Sequence, residues 1–587
     1  MTRLINFFLL AIGGLLWSSC SDSQEVKIAV LADVHLHDIY ATLSDVEFEN
    51  APVDGDNRNL LLRPMAEQLR STRVYNENYF AFIAALDDIV SRGVDYVIMP
   101  GDFSDDGQVN NIVALRNILS GYSQKYGVEF FITTGNHDPV RPFTRSDVAI
   151  NFLNKDGGKE RFYGSENRAG GVVSRDVQHL GYEGIVNNLS SFGFLPQPSY
   201  LYWESPYSSH DYASYNFEDA LAESSISNRE YAINQQGVTL PDASYLVEPV
   251  EGLWLLAIDA NAYPFTPKFE DEPRNPLNFG SPSSGYVTTL EHKKELFKWV
   301  ESVAQRAKAL DKRLISFSHY PVVDFFDTAS ADVARLLGED KMQLGRNPDG
   351  DVADIFADAG IKLHFAGHMH IDDVGEHTTA KGNKIVNVQV PSIAGYSPGY
   401  KIMSLKDGVA TIESVTIDDV PNFDVLFPFY EQEYQYLLSS GEANLWSRDI
   451  LASTSYREFI TYHLHELVRL RFIPSWQHNL DEESLSMSGA ELLRASGVNE
   501  EIENIEQYEQ FTTFDVIFDF YRLYAAGAVG AVDVGEKRLK VYDSMLSELR
   551  ECKSLTPSGE LISALLGIVS HFQEEGLCSK TTVDIGW

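Results

Sequence analysis

Cationic charge is scarce in this chain: 46 lysines and arginines stand against 85 aspartates and glutamates, a net charge of −39. That balance excludes a nucleic-acid polymer or an anionic membrane surface as the main partner, because either would be repelled over most of the protein. Cysteine is almost missing, with three in 587 residues, so any disulfide framework is limited to a single bond. The apolar stretch Phe7 to Trp17 is too short to span a bilayer. The glycine-rich stretch Gly530 to Gly535 has phosphate-loop spacing, but Glu536 stands where the phosphate-binding lysine is needed. His463 and His465 lie two apart, not the four that a zinc-binding pair on a helix requires.

What is present begins with an export signal. Arg3 supplies a positive start, Phe7 to Trp17 an apolar stretch and Ser18-Ser19 a small-residue cleavage region. Cys20 follows directly, with Ser21 to Gln24 as a polar tether; the arrangement resembles a bacterial lipoprotein signal, although Trp17 stands where leucine is commonest. The expectation is a signal peptide over 1–19, a lipidated tether over 20–25, and a periplasmic or cell-surface location with the membrane reached only by the lipid anchor. Plain secretion is the other reading. Residues 1–19 hold one arginine and no acid, so the acidity belongs to the exported body. Cys552 and Cys578 then remain; in an oxidising compartment they can close a disulfide, and two free buried thiols are the alternative.

A chain of this length is expected to hold two or more domains. From residue 26 to about 417, short apolar runs alternate with helix-like segments, as α/β chains do. The strand candidates are Val26 to Ala32, Tyr96 to Met99, Val128 to Thr133, Leu253 to Ile258, Leu314 to Phe317 and Ile361 to Ala366. Amphipathic spacing predicts helices over Asn78 to Arg92, Asn111 to Tyr126 and Leu290 to Leu310. Residues 139–250 and 264–285, rich in Gly, Ser, Asn, Tyr or Pro, read as insertions whose loops shape substrate choice. Residues 421–587 show helical periodicity with little strand pattern, which predicts a C-terminal all-α domain.

Five strand-like runs end in one kind of chemistry: Asp33 and His35, Asp102, Asn136 and His137, His319, then His368 and His370. In an α/β sheet the carboxyl ends of strands share an edge, so these side chains can meet. Positions two apart in an extended segment face the same way, which pairs Asp33 with His35 and His368 with His370. Imidazole mixed with carboxylate and amide oxygen suits Mn, Fe or Zn better than Ca or Mg.

The order Asp-x-His, Gly-Asp, Gly-Asn-His-Asp, His, Gly-His-x-His, over residues 26 to about 415, resembles the calcineurin-like metallophosphoesterase superfamily. Gly101-Asp102-Phe103-Ser104-Asp105-Asp106-Gly107 is similar to its cyclic-nucleotide phosphodiesterase-like branch. The resemblance implies a metallophosphoesterase-type β-sandwich flanked by helices and a centre of two divalent transition metals. It implies that Asp33, His35 and His370 hold one metal, that Asn136, His319 and His368 hold the other, and that Asp102 bridges them. His137 would lie beside the reacting phosphate. Purple acid phosphatases carry a tyrosine three residues after the bridging aspartate, where this chain has Asp105, so an iron-tyrosinate centre is not expected.

The expected chemistry is in-line attack on a phosphoester by a hydroxide held between the metals, with His137 protonating the leaving oxygen. The substrate is a small phosphodiester, a cyclic nucleotide among the choices, or a phosphomonoester. A sphingomyelinase-like phosphodiesterase and a non-catalytic surface binding lipoprotein are the alternatives. Arg141 can pair bidentately with a phosphate oxygen or form a structural salt bridge. His37 reads as a solvated loop histidine. The cluster Tyr200, Tyr202, Trp203 and Tyr207 reads as packing more than as a stacking platform.

Overall fold

Two sheets dominate the computed structural model, which describes residues 25–587 apart from 167–169, 234–236, 349, 479, 499–501, 503 and 576–579. Cys20 with its signal segment, and Cys578, lie outside the described residues; the Cys552 thiol donates to the Gly497 carbonyl. In the first sheet Val26–Val30, Tyr96–Pro100 and Glu129–Thr133 run parallel, and the hairpin Gly399–Lys406 with Val409–Thr416 extends it from Val26–Val30. In the second, Leu253–Ile258, Arg313–Ser318, Leu363–Ala366 and Lys384–Gln389 run parallel. The antiparallel strands Asp373–Thr378 at one edge and Tyr245–Val250 with Tyr202–Glu204 at the other complete it.

Side-chain alternation sorts the layers. In Leu253–Ile258, Leu255 and Ala257 join the core between the sheets, while Trp254, Leu256 and Ile258 join a second cluster with Val300, Val303 and Phe356 of the helices Lys294–Ala309 and Gly350–Ala359. Helices Asn78–Ser91 and Val109–Tyr126 feed Phe82, Leu86, Ile112 and Leu115 into the central core. The predicted sandwich flanked by helices is therefore the fold. Tyr202–Glu204 and Tyr245–Val250 correct the expectation for 139–250: part of that stretch is scaffold, and Tyr202 and Trp203 are fully buried packing residues.

Beyond residue 421 the chain is helical, with Phe427–Ser439, Tyr456–Leu467, Thr513–Val534, Glu536–Glu551 and Pro557–Glu575 as the principal helices. It is not wholly so. Lys580–Asp584 returns to the first sheet and pairs antiparallel with Val409–Thr416. Nor is the helical segment a detached domain, since its apolar residues belong to the same core cluster as the sheets. Among the described residues no helix is long and apolar enough to cross a membrane.

The seam between the helical segment and residues 63–78 is polar and buried. Pro64, at the N-cap of the short helix Met65–Gln68, has no side chain able to cap it. Glu433 does so instead, accepting from the Met65 and Ala66 N–H groups at 2.7 and 3.2 Å. Glu77 accepts from the Tyr430 hydroxyl at 2.5 Å and from Gln68 Nε2 at 2.8 Å. Burial pushes each carboxyl up from its ordinary value to about 7.

A carboxyl whose pKa is raised by folding stabilises fully below its unfolded pKa, near 4.5, and loses that contribution as pH rises through about 7. Urea unfolding is expected to show lower stability at pH 8 than at pH 6. Glu77→Gln, which keeps the shape without the charge, should flatten that difference by on the order of 1–3 kcal/mol. An unchanged pH slope in the variant would mean that Glu77 is already ionised in the folded protein.

Candidate metal centre

The carboxyl ends of the parallel strands in both sheets meet at one edge. There Thr133 Oγ1 donates to the Ile258 carbonyl at 3.3 Å and His319 Nδ1 donates to the Pro100 carbonyl at 3.1 Å, tying sheet to sheet. The second bond fixes the His319 tautomer and frees its Nε2 for a metal. Asp33, His35, Asp102, His368 and His370 all adopt left-handed φ, between 46° and 73°. Such backbone is costly for residues with a Cβ and marks sites where position outranks local comfort.

It also corrects the alternation argument. The two histidines of Gly367-His368-Met369-His370 are not in extended backbone and do not act as a pair. His370 gathers with Asp33 and His35, whereas His368 gathers with Asp102 and His319. In the first cluster His35 Nε2 and His370 Nε2 are 3.1 Å apart, and Asp33 Oδ1 lies 3.4 Å from His370 Nε2. In the second, His319 Nε2 lies 3.1 Å from Asn136 Oδ1, 3.0 Å from His368 Nδ1 and 3.2 Å from Asp102 Oδ2. Asp102 Oδ2 is also 3.8 Å from His35 Nε2, which places it between the clusters.

The remaining carboxylate oxygens are pinned by backbone. Asp33 Oδ2 accepts from the His368 N–H and Asp102 Oδ1 from the His137 N–H, both at 2.8 Å. The motif glycines follow from this closeness: a Cβ on Gly367 would strike the Asp33 carboxylate, and one on Gly135 would strike Asp102.

The donor set fits two cations. Asp33 Oδ1 is buried with no hydrogen-bond partner, and around it lone pairs of nitrogen and oxygen converge with too few protons to satisfy them. Burial, then the nearby Arg73 charge, hold His35 well below the usual histidine range; burial and His319 do the same to His368, so both imidazoles are neutral, as metal ligation would require. Burial opposes charge on His319 too, but Asp102 outweighs it and lifts the group to about 9. Burial likewise works against ionisation of Asp102, and the His319 and His137 charges overcome it, keeping the carboxyl well below its usual range.

Three residues for which the sequence suggests no role complete the surroundings: Asp106, inside the motif that follows Asp102, and Arg73 and Arg346, which belong to no motif. Asp106 Oδ1 holds His137 Nδ1 at 2.5 Å. Arg73 Nη2 bonds Asp105 Oδ1 at 2.6 Å and lies 3.4 Å from His137 Nδ1. Arg346 Nη1 donates to His368 Nε2 at 2.8 Å. Asp105 itself is bound by Arg63 and Arg73 and belongs to none of the ligand clusters.

A cavity of about 660 Å³ opens over the centre. Its lining corrects the expectation about substrate-shaping loops: among the described residues none of 139–250 or 264–285 lines it. The walls come from 67–75, 337–346 and 395–396 and, in the helical segment, from 463–476 and 521–525. Arg141 is not among the lining residues; its Nη1 donates to the adjacent Val140 carbonyl. His37 is fully buried, with Nε2 donating to the Leu61 carbonyl at 2.7 Å and burial lowering it to about 4, so it is structural and not solvated. His463 lines the cavity but is held by the Gln68 carbonyl at 3.1 Å, and it joins no ligand cluster.

Residues 26–242 match the calcineurin-like phosphoesterase family. This stretch is a calcineurin-like phosphoesterase domain. The match ends before His319, His368 and His370, which the fold brings back to the same centre. No curated protein sequence matches the chain. Among solved structures, a dimetal phosphatase from Danio rerio is 11% identical over 67% of this chain and 96% of its own, with a TM-score of 0.31. A phosphopantetheinyl hydrolase from Mycobacterium tuberculosis is 12% identical over 63% and 90%, with a TM-score of 0.25. GAP50, the anchor in the inner membrane complex of Plasmodium, is 11% identical over 67% and 84%, with a TM-score of 0.23.

In this calcineurin-like domain Gly135→Ala is expected to displace Asp102, lower the bound metal and cost about 1–3 kcal/mol of stability. Gly121→Ala, in a helix with open space around it, should keep its metal and gain roughly 0.5–1 kcal/mol. Metal analysis of the two variants checks both, and a fully loaded Gly135→Ala protein would contradict the steric account.

Proposed function

We propose that the chain hydrolyses a small phosphoester, a phosphodiester or phosphomonoester, at a centre of two Mn, Fe or Zn ions. The observation that carries this reading is the position of Asp102 Oδ2 between the two ligand clusters, with His137 beside it in the same cavity. Asp33, His35 and His370 would hold one ion, Asn136, His319 and His368 the other, and Asp102 both. When bound, such a pair lowers the pKa of water and neutralises charge on phosphate oxygens.

The residues of the chain do the rest. His137, with Nδ1 engaged by Asp106, has Nε2 left to pass a proton to the leaving oxygen. Asp106 keeps the imidazole oriented; its own carboxyl is held below the usual range, the His137 bond outweighing burial. Buried walls from the helical segment narrow the access of water. The motif around Asp102 supports a cyclic nucleotide or similar diester as substrate. The signal layout ending at Cys20 supports an exported lipoprotein, anchored by acylation at that cysteine.

The central test is turnover of bis(p-nitrophenyl) phosphate and p-nitrophenyl phosphate by mature protein loaded with Mn, Fe or Zn. No turnover with any of the three would overturn the hydrolase reading. His137→Ala should lower kcat by about 10²–10⁴-fold with metal content intact, and Asp106→Asn should lower it less; metal lost with His137 would make it a ligand. For the anchor, Cys20→Ser should release the protein from the membrane fraction, and unchanged fractionation would exclude lipidation at that residue.

A further inference from the structure

Two arginines cross the seam beside the cavity in opposite directions. Arg70 Nη1 donates to the Leu470 carbonyl at 3.1 Å, and Arg471 Nη1 donates to the Arg70 carbonyl at 3.0 Å. Both line the cavity, both are exposed, and among the described residues neither takes part in an ion pair. Each guanidinium has five N–H donors, so most of that capacity is unspent.

Acids are available nearby and are committed elsewhere. Glu67 serves Arg63, Lys159 and Asn151, and Asp340 serves Lys341. In a chain with 85 acidic residues against 46 basic ones, two neighbouring cations without a carboxylate make a place where an anion relieves their repulsion. The helical segment also lines this cavity with apolar and aromatic side chains: Leu464, Leu467, Phe472, Trp476, Tyr521 and Tyr524.

We propose that Arg70 and Arg471 form a second anion subsite, and that the substrate is a phosphoester whose organic portion carries an apolar body and a further anionic oxygen group. The inference rests on the phosphoester reading above and deepens it. It runs against a choline-type substrate, whose quaternary ammonium would face two guanidinium groups. The helical segment, together with Arg70 across the seam, thereby becomes the part of the chain that selects the substrate.

The test compares three p-nitrophenyl phosphodiesters on the full-length, metal-loaded protein: those of γ-hydroxybutyrate, of its amide, and of butanediol monophosphate. The two acids should exceed the amide in kcat/KM by about tenfold, mainly through KM, with the ratio shrinking at high salt. Arg471→Gln and Arg70→Gln should each bring the ratio toward one, and Arg471→Lys should keep part of it. The ratio is internal to each protein, so lost fold cannot imitate the effect. A preference between carboxylate and phosphate supports the subsite and names its oxyanion. Equal kcat/KM for acids and amide, or a ratio that survives both glutamine variants, overturns it.

If no ester is turned over, the phosphoester reading falls. Calorimetric titration with the hydrolysis-resistant methylphosphonate ester of γ-hydroxybutyrate, against that of the amide, still reads the subsite. Tighter binding of the acid that disappears in Arg471→Gln supports it, and equal binding overturns it.

Discussion

The Asp102 carboxylate organises the site around it. One oxygen is pinned by the His137 N–H and the other stands between His35 and His319, so a single side chain sets the spacing of both ligand clusters and of the proton donor. To bring it there, Gly135 must be without a side chain and Asp102 must sit in left-handed backbone. Five of the candidate ligands share that backbone, at roughly 1–3 kcal/mol each. Strain on this scale persists because the bonds between sheets, such as Thr133 to Ile258 and His319 to Pro100, leave the strand ends no alternative position.

Much of this was legible in the sequence because the ligands stand at the ends of strands, where residue type and placement agree. Asp33, Asp102, Asn136, His319 and His368 stand out from five blocks read together, each block alone being an ordinary turn, and the fold gathers them at one edge. The division of His368 from His370 could not be derived from alternation, since the chain there is turned and not extended. Arg73 and Arg346 belong to no motif, and Asp106, though inside one, showed no role there; all three matter through what the fold sets beside them. His37 misled because its place just past a strand end gives no sign that Phe152, over a hundred residues on, will cover it, their rings stacked at 5.9 Å.

The larger differences concern walls. Composition pointed to the Gly-, Ser- and Tyr-rich insertion as the shaper of the cavity, yet part of that stretch builds the second sheet, while helices more than three hundred residues from Asp102 line the site. Helical periodicity shows that such segments bury an apolar face; it does not show against what. The cost of that burial is met by polar seams, with Glu433 capping a helix it is remote from in sequence and Glu77 meeting Tyr430.

The return of Lys580–Asp584 to the first sheet alters how the helical segment can move. Both of its ends are fastened to one strand, Val409–Thr416: one end by direct continuation, the other through five paired residues. A segment held at one end can swing as a flap. Held at both, it behaves as a bridge, and lifting it away means stripping the sheet edge as well. Access to the cavity beneath it is then left to the side chains and loops at its mouth, since the span overhead is anchored at both ends.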